Sequence, residues 1–214
     1  MSERISGCVF CADLDQIVYR TDDLFVLPDL APLVDGHALI CARAHYPSVA
    51  DLPESSAREL DRLCDRVRSL YLREYGAYAM FEHGRTGHCL RRRPEERICH
   101  HMHVHVLPLP GDLVTASGLG QRIRSESWLD VLDLGRDTDG YAVVESVDAG
   151  RYFFPVTHDL APHYLRSRAA ELLGDPTLAD WEAQLDRGTD PERAARNRER
   201  LRDLLSEAPL APAR

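Results

Sequence analysis

Four of the ten histidines fall in six consecutive positions, His100, His101, His103 and His105, inside the run Cys99-His-His-Met-His-Val-His-Val-Leu-Pro108. On an extended backbone residues i, i+2 and i+4 project from one face. His101, His103 and His105 therefore line one side and Met102, Val104 and Val106 the other. With the aliphatic side buried, three imidazoles stand on a rigid strand at intervals of about 6–7 Å. Two chemistries fit such a row. A His-x-His pair can hold a catalytic metal, with a third ligand from elsewhere and one open position. Alternatively one imidazole is a nucleophile and its neighbours stabilise an anionic group. A second candidate group is Cys8-x-x-Cys11, among six cysteines. In a reducing compartment this spacing points to a metal or redox pair rather than to a structural disulfide.

The 26 basic residues are all arginine, and the chain of 214 residues has no lysine. A phosphate loop of the Gly-Lys-Ser type, a Schiff-base or pyridoxal-phosphate enzyme and a protein kinase all place a lysine amine at the centre of their chemistry, so these are excluded. Any anion handled here must be met by arginine, histidine or backbone amides. The formal charge of -9 opposes binding to nucleic acid or to an anionic membrane surface. No apolar run reaches the length of a membrane span. The first residues lack a basic segment followed by an apolar one, so a cytoplasmic location is expected.

The elements that must position these groups follow from periodicity. Residues 16–20 and 24–28 read as strands around Thr21-Asp22-Asp23, with a third strand over 37–42. Asp51, with Pro53 and with Glu54 at the capping-box position, is expected to cap a helix. In that helix Leu60, Leu63, Cys64, Val67, Leu70 and Tyr71 share a face, and Gly76 stops it. Residues 77–82 read as a strand, 83–97 as an arginine-rich loop and 101–107 as the histidine strand, ended by Pro108. The expectation is an α+β core with an antiparallel five-stranded sheet and one long helix over residues 1–114. A C-terminal extension over 115–214 then carries a short helix near Trp128, a hairpin of 141–147 with 151–156, and two or three helices. One of these places Leu160, Tyr164, Leu165, Ala169 and Leu172 on a face and stops at Gly174. The last opens at Pro191 and shows an apolar seam of Leu201, Leu204 and Leu205. The extension is expected to pack on the core or at a dimer interface.

The run His101-Met-His103-Val-His105-Val-Leu107 resembles the signature of the histidine-triad superfamily of nucleotide hydrolases and transferases. Upstream segments resemble the same family in order and spacing. They are Cys8-Val-Phe-Cys11, Asp29 with Pro32, and Gly36-His37-Ala-Leu-Ile40 running on to His45. The resemblance spans about residues 8–110. It implies that His101, His103 and His105 form the catalytic group, with His103 attacking the α-phosphorus of a nucleotide and His105 donating to a phosphate or leaving oxygen. A backbone carbonyl bonded to Nδ1 of His103 would present Nε2 to the phosphorus. It also implies that Asp29 binds the ribose hydroxyls. Where the family has Gln-Ser before the triad this chain has Arg97-Ile98, and Arg97 can replace the glutamine as a phosphate ligand. Arg91, Arg92 and Arg93 can screen a polyphosphate.

Some members of this family bind a structural zinc, and the matching ligands here are Cys8, Cys11, His45 and His101, a closed Cys₂His₂ set. The family usually forms homodimers, so a homodimer is expected. Cys41 and Cys64 read as buried, Cys89 is unassigned, and Cys99 sits beside the triad. Two other functional readings stand beside the covalent one: a zinc-dependent hydrolase with the triad as metal ligands, and a nucleotide-binding protein without catalysis.

Overall fold

The computed structural model describes residues 4–12, 14–86, 100–158, 160–186 and 191–206. Among these residues eight strands form one antiparallel sheet: β1 (Tyr19–Arg20), β2 (Leu24–Pro28), β3 (Ala38–Ala42), β4 (Ala79–Glu82), β5 (His103–Leu107), β6 (Ile123–Arg124), β7 (Tyr141–Ser146) and β8 (Gly150–Pro155). Their order across the sheet is β1-β2-β3-β5-β4-β7-β8-β6. The α+β class and the five strands over residues 1–114 are as expected; the hairpin expected over 141–156 continues the same sheet instead of standing apart, and the short β6 adds to its edge. The hairpin of β7 and β8 joins the edge of β4, with Met80 opposite Glu145 and Phe81 opposite Val144. Local alternation reveals a strand but not which distant edge it pairs with, and here both faces of β7 are covered.

On one face, Leu24, Val26, Ile40, Met80, Val104, Val106, Val143 and Phe153 pack beneath α1 (Glu54–Tyr75), α3 (Trp128–Arg136) and α6 (Pro191–Ser206). Helix α1 buries Leu60, Leu63, Cys64, Val67 and Leu70, and each leucine so buried contributes about 1.5–3 kcal/mol. It stops at Gly76, which takes the left-handed conformation at φ 71° while its N–H donates to Leu72 O. The seam of Leu201, Leu204 and Leu205 on α6 is buried against the same core.

The expected cap of α1 is corrected by the structure. Asp51 ends a 3-10 turn over Val49–Asp51, the N-cap position is Pro53, and no side chain caps the helix. The Asp51 carboxylate instead accepts from Ser48 Oγ (2.7 Å) and from Arg85 Nη2 (2.6 Å), a charged partner 34 residues away that outcompetes an exposed helix end.

The second face is divided. Beneath β4 and β7, Ala79, Phe81, Ala142 and Val144 are covered by α2 (Leu113–Ala116) and α4 (Tyr164–Leu172). Beneath β2 and β3, Phe25, Leu27, Leu39 and Cys41 meet Phe10, Leu14 and Ile17 of the N-terminal segment. The histidines of β5 open on this face, between the two covered parts. A last short helix, α5 (Trp181–Asp186), follows α4. Among the described residues no helix is long and apolar enough to cross a membrane.

Candidate active site

β5 begins at His103 rather than at His101 as expected; its alternation sends Val104 and Val106, with Met102 just before it, into the helix-covered core and turns His103 and His105 to the opposite face, as the spacing implied. The register sets their neighbours: His103 lies opposite Cys41, and His105 lies between Leu39 of β3 and Phe81 of β4. The His105 ring stacks on Phe81 with centroids 4.4 Å apart. The His103 ring stacks on Phe10 at 5.1 Å and meets His105 edge-on at 5.0 Å. The pocket they share is also lined by Leu27, Asp29, Leu39, Glu82 and His83.

Backbone groups decide which nitrogen of each ring carries the proton. His103 Nδ1 lies 2.7 Å from the carbonyl of His101 and donates to it, which leaves the lone pair on Nε2. His105 is fixed the other way. The Leu33 N–H donates to His37 Nδ1 (3.1 Å), so the proton of His37 sits on Nε2. That nitrogen is 3.0 Å from His105 Nδ1 and donates to it, which leaves N–H on His105 Nε2. Two adjacent rings thus differ in chemistry, one offering a lone pair and the other a proton. Burial keeps both uncharged by pushing His103 below the ordinary imidazole value and His105 well below it. His37, which the spacing argument did not single out, is fully buried and is pushed down to about 4 by burial, against the pull of Asp29. Its signal lay in the Gly36-His37 pair, but only the pairing of β3 with β5 brings it to His105.

Asp29 is buried at the end of β2. Its Oδ1 accepts from the Ala31 N–H (2.8 Å), and Oδ2 faces Arg166 Nη1 (3.4 Å), His37 Nε2 (3.6 Å) and His105 Nδ1 (3.7 Å). Burial acts to raise its pKa, but His37, Arg166 and the Ala31 N–H together hold the carboxyl below its usual value. Asp29, His37 and His105 could by proximity alone hold a cation. The Leu33 N–H argues otherwise, because it occupies Nδ1 of His37 and so keeps a proton on the Nε2 that would have to bind the ion.

His101 is turned away from this pair. Its Nε2–H donates to Ala42 O (2.9 Å), which leaves a lone pair on Nδ1. That nitrogen is 3.3 Å from His45 Nδ1, 3.5 Å from Cys8 Sγ and 3.7 Å from Cys11 Sγ, and Cys11 Sγ is 3.5 Å from His45 Nδ1. Tetrahedral zinc with bonds of about 2.05 Å to nitrogen and 2.3 Å to sulfur has edges of about 3.3 Å between nitrogens and about 3.6 Å between nitrogen and sulfur. The four atoms therefore sit at metal-ligand spacing, and the bond to Ala42 O is the kind of outer contact that orients a ligating histidine. These Cys and His groups could hold a metal ion.

Arg97, Arg91 to Arg93, Cys89 and Cys99 lie outside the described residues. Cys41 and Cys64 are buried, as expected. Residues absent from the sequence reading also reach the pocket: His83, and from the C-terminal part His163, Arg166 and Trp181. Helix α4 is held there by the Leu165 N–H, which donates to His83 Nε2 (3.2 Å). No spacing in the sequence links these segments.

The buried imidazoles make stability depend on pH. Burial lowers His37 to about 4 and His83 to about 3, whereas in the unfolded chain both return to 6.5. Between pH 6.5 and 4 the unfolded chain takes up protons that the folded chain refuses, so stability falls as pH falls through that window. Glu82, raised to about 7 by burial, works in the opposite sense and offsets about one of the two histidines. His105, also held low, adds to the first effect. The expected outcome is a lower Tm at pH 5 than at pH 7, measured with chelator present so that metal release does not contribute. A Tm that rises on acidification contradicts this assignment.

Residues 7–115, half of the chain, match the family described as scavenger mRNA decapping enzyme C-term binding. Over 95 residues the chain is 25% identical to the nitrilase and fragile histidine triad fusion protein NitFhit of Caenorhabditis elegans, covering 44% of this chain and 20% of that protein. Over 197 residues it is 23% identical to CWF19-like protein 1 of Xenopus laevis, covering 81% of this chain and 34% of that one. The chain thus spans between a fifth and about a third of the length of these relatives. Among solved structures, a HIT family protein from Bacillus anthracis aligns with 16% identity over 60% of this chain and 92% of its own, at a TM-score of 0.37. A zinc-bound histidine triad family protein from Mycobacterium smegmatis aligns with 19% identity over 61% and 91%, also at 0.37. By the match over its N-terminal half, this chain belongs to the scavenger mRNA decapping enzyme C-term binding family, within the histidine-triad superfamily.

Proposed function

We propose that the chain is a nucleotide hydrolase or nucleotidyl transferase that works through a covalent nucleotidyl-His103. The observation that carries this reading is the opposed tautomers of neighbouring rings, a lone pair on His103 Nε2 beside an N–H on His105 Nε2. In the first step His103 Nε2 attacks the α-phosphorus of a nucleotide ester, anhydride or phosphoramidate. The bond from phosphorus to the leaving oxygen or nitrogen breaks, and its electron pair departs with that group. His105 donates to the phosphoryl or leaving atom as negative charge builds. In the second step water, or an acceptor in the transferase case, attacks the same phosphorus. The N–P bond breaks, its pair returns to Nε2, and the proton of the attacking group passes to solvent. Asp29 binds the ribose hydroxyls, and Arg97 is the expected ligand of a phosphate oxygen.

The metal in this reading is a structural zinc held by Cys8, Cys11, His45 and His101, and its chemistry is to cross-link the N-terminal segment to the strand bearing His103. A hydrolase using the three triad rings as metal ligands has less support. His101 Nδ1 faces the cysteines and His105 Nδ1 is engaged by His37, so the rings do not converge on one ion.

The test is rapid quench into base of the protein mixed with nucleotides labelled at the α-phosphorus. The expected result is label on the protein within the first turnover, lost as product forms. Turnover without label that stops on chelation selects the metal hydrolase. Saturable binding with no turnover selects the non-catalytic protein.

A further inference from the structure

Two residues other than glycine have left-handed backbone among those described, Arg85 (φ 64°) and His163 (φ 59°), and both line the pocket that holds His103. Such backbone persists only where its surroundings over-determine it, and it gathers at ligand sites. Arg85 is accounted for by its own bonds: its guanidinium donates to Asp51 at 2.6 and 3.1 Å and to the carbonyls of Gly135 and Thr138 at 3.3 and 3.1 Å. His163 has no comparable account. Its Nε2 is buried and finds no hydrogen-bond partner among the described residues. Its ring lies nearly parallel to Trp181, with centroids 6.2 Å apart, and Trp181 lines the same pocket. A buried polar atom left without a partner destabilises the folded chain unless something else supplies one.

The cations around the pocket narrow down what that partner is. Arg85 is taken up by Asp51. Arg166, one turn beyond His163, is 1% exposed; its Nη1 and Nη2 are taken up by Asp29 and by the carbonyls of Ala31 and Leu178, while its Nε is buried without a partner among the described residues. With the terminal nitrogens of both guanidiniums engaged and no lysine in the chain, an imidazole N–H on the described wall of the pocket is a donor open to phosphate charge, beside backbone amides and the Arg97 named above.

We propose that His163 is a substrate-binding residue supplied by the C-terminal part of the chain, its Nε2–H donating to an anionic oxygen of the phosphate-bearing substrate. A neutral N–H aimed at an anionic oxygen makes a charge-assisted bond. The left-handed turn at the head of α4 sets the direction of the ring, and a helical φ would redirect its Cβ. The inference rests on the nucleotide reading above.

The test is isothermal titration of the full chain with AMP, GMP, CMP and UMP and with the four parent nucleosides. Wild-type protein is expected to bind at least one monophosphate more tightly than its nucleoside. His163→Ala and His163→Gly weaken that monophosphate about tenfold or more and leave the nucleoside unchanged. His163→Gln, whose amide N–H can donate, keeps part of the affinity. His163→Gly also keeps or raises Tm, because glycine accepts positive φ, so weaker binding in a sound fold separates a substrate contact from a scaffolding role. Unchanged affinity for the monophosphate, or equal losses for nucleotide and nucleoside, overturns the inference. If wild-type protein binds none of the four monophosphates, the nucleotide reading fails and this inference falls with it.

Discussion

Replacing His103 with alanine is expected to lower turnover by about 10⁴-fold or more while the fold persists, as removal of a covalent nucleophile does. A loss of that size corresponds to about 5.5 kcal/mol of transition-state stabilisation. The expectation is specific to His103 because the neighbouring ring cannot take over. His105 Nδ1 receives the proton of His37, so its remaining nitrogen carries N–H and has no lone pair to attack with. Exchanging the two roles would break the bond from His103 Nδ1 to the His101 carbonyl and the bond between His37 and His105 together. His103 is only half-buried, resting against Phe10 and His105, so its loss opens space to solvent instead of leaving a sealed cavity in the core. Circular dichroism and thermal unfolding are expected to match wild type closely while turnover of α-labelled nucleotide disappears. Turnover within tenfold of wild type in the alanine variant rules His103 out as the nucleophile.

Removing the metal is expected to have the second largest effect. As purified, the protein should carry about one zinc per chain, and Cys8→Ser with Cys11→Ser should carry none. The four candidate ligand atoms are contributed by residues 8, 11, 45 and 101, so an ion held by them would tie the N-terminal segment to the chain just after β3 and just before β5. A ligand present at a thousandfold its dissociation constant stabilises a fold by about 4 kcal/mol, and a chain of this size shifts by about 2–4 °C per kcal/mol. A drop in Tm of about 8–16 °C is therefore expected on substitution or chelation. Phe10 sits between the two cysteines in sequence and packs on His101 and His103, so its loosening should also raise KM more than it lowers kcat. Elemental analysis and differential scanning calorimetry check both claims. Metal-free protein with an unchanged Tm in the double variant would return the cysteines to the role of ordinary core thiols.

Much of this site was legible before any coordinates. A period of two in residues 101–107 is enough to assign the histidines to one face and the aliphatics to the other, because a strand has only two faces. The carbonyl that fixes the His103 tautomer is also local, since it belongs to the residue two positions earlier on the same strand. The long helix and its stop at Gly76 follow from helical spacing and from the left-handed conformation that glycine takes at little cost. The Asp51 cap failed for a reason that local pattern cannot contain, a guanidinium from residue 85 that binds its carboxylate.

The sequence by itself determined the chemistry this chain can hold: imidazoles and thiols in defined spacings, arginine as its one fixed cation, and a strand to carry the triad. What tertiary structure decided was which of those groups meet. Pairing of β3 with β5 brings His37 to His105 and so assigns the proton of each ring, a decision made by a backbone N–H at residue 33. Pairing of β7 with the edge of β4 extends the sheet, and the chain beyond it returns α4, with Arg166 and the His163 that precedes it, to the wall of a site some sixty residues earlier. Strand pairing and helix docking are contacts between distant segments, stabilised by burial that becomes available only once the whole sheet has formed. Periodicity along the chain carries the identity of each element, whereas the choice of neighbour lies in the three-dimensional fit.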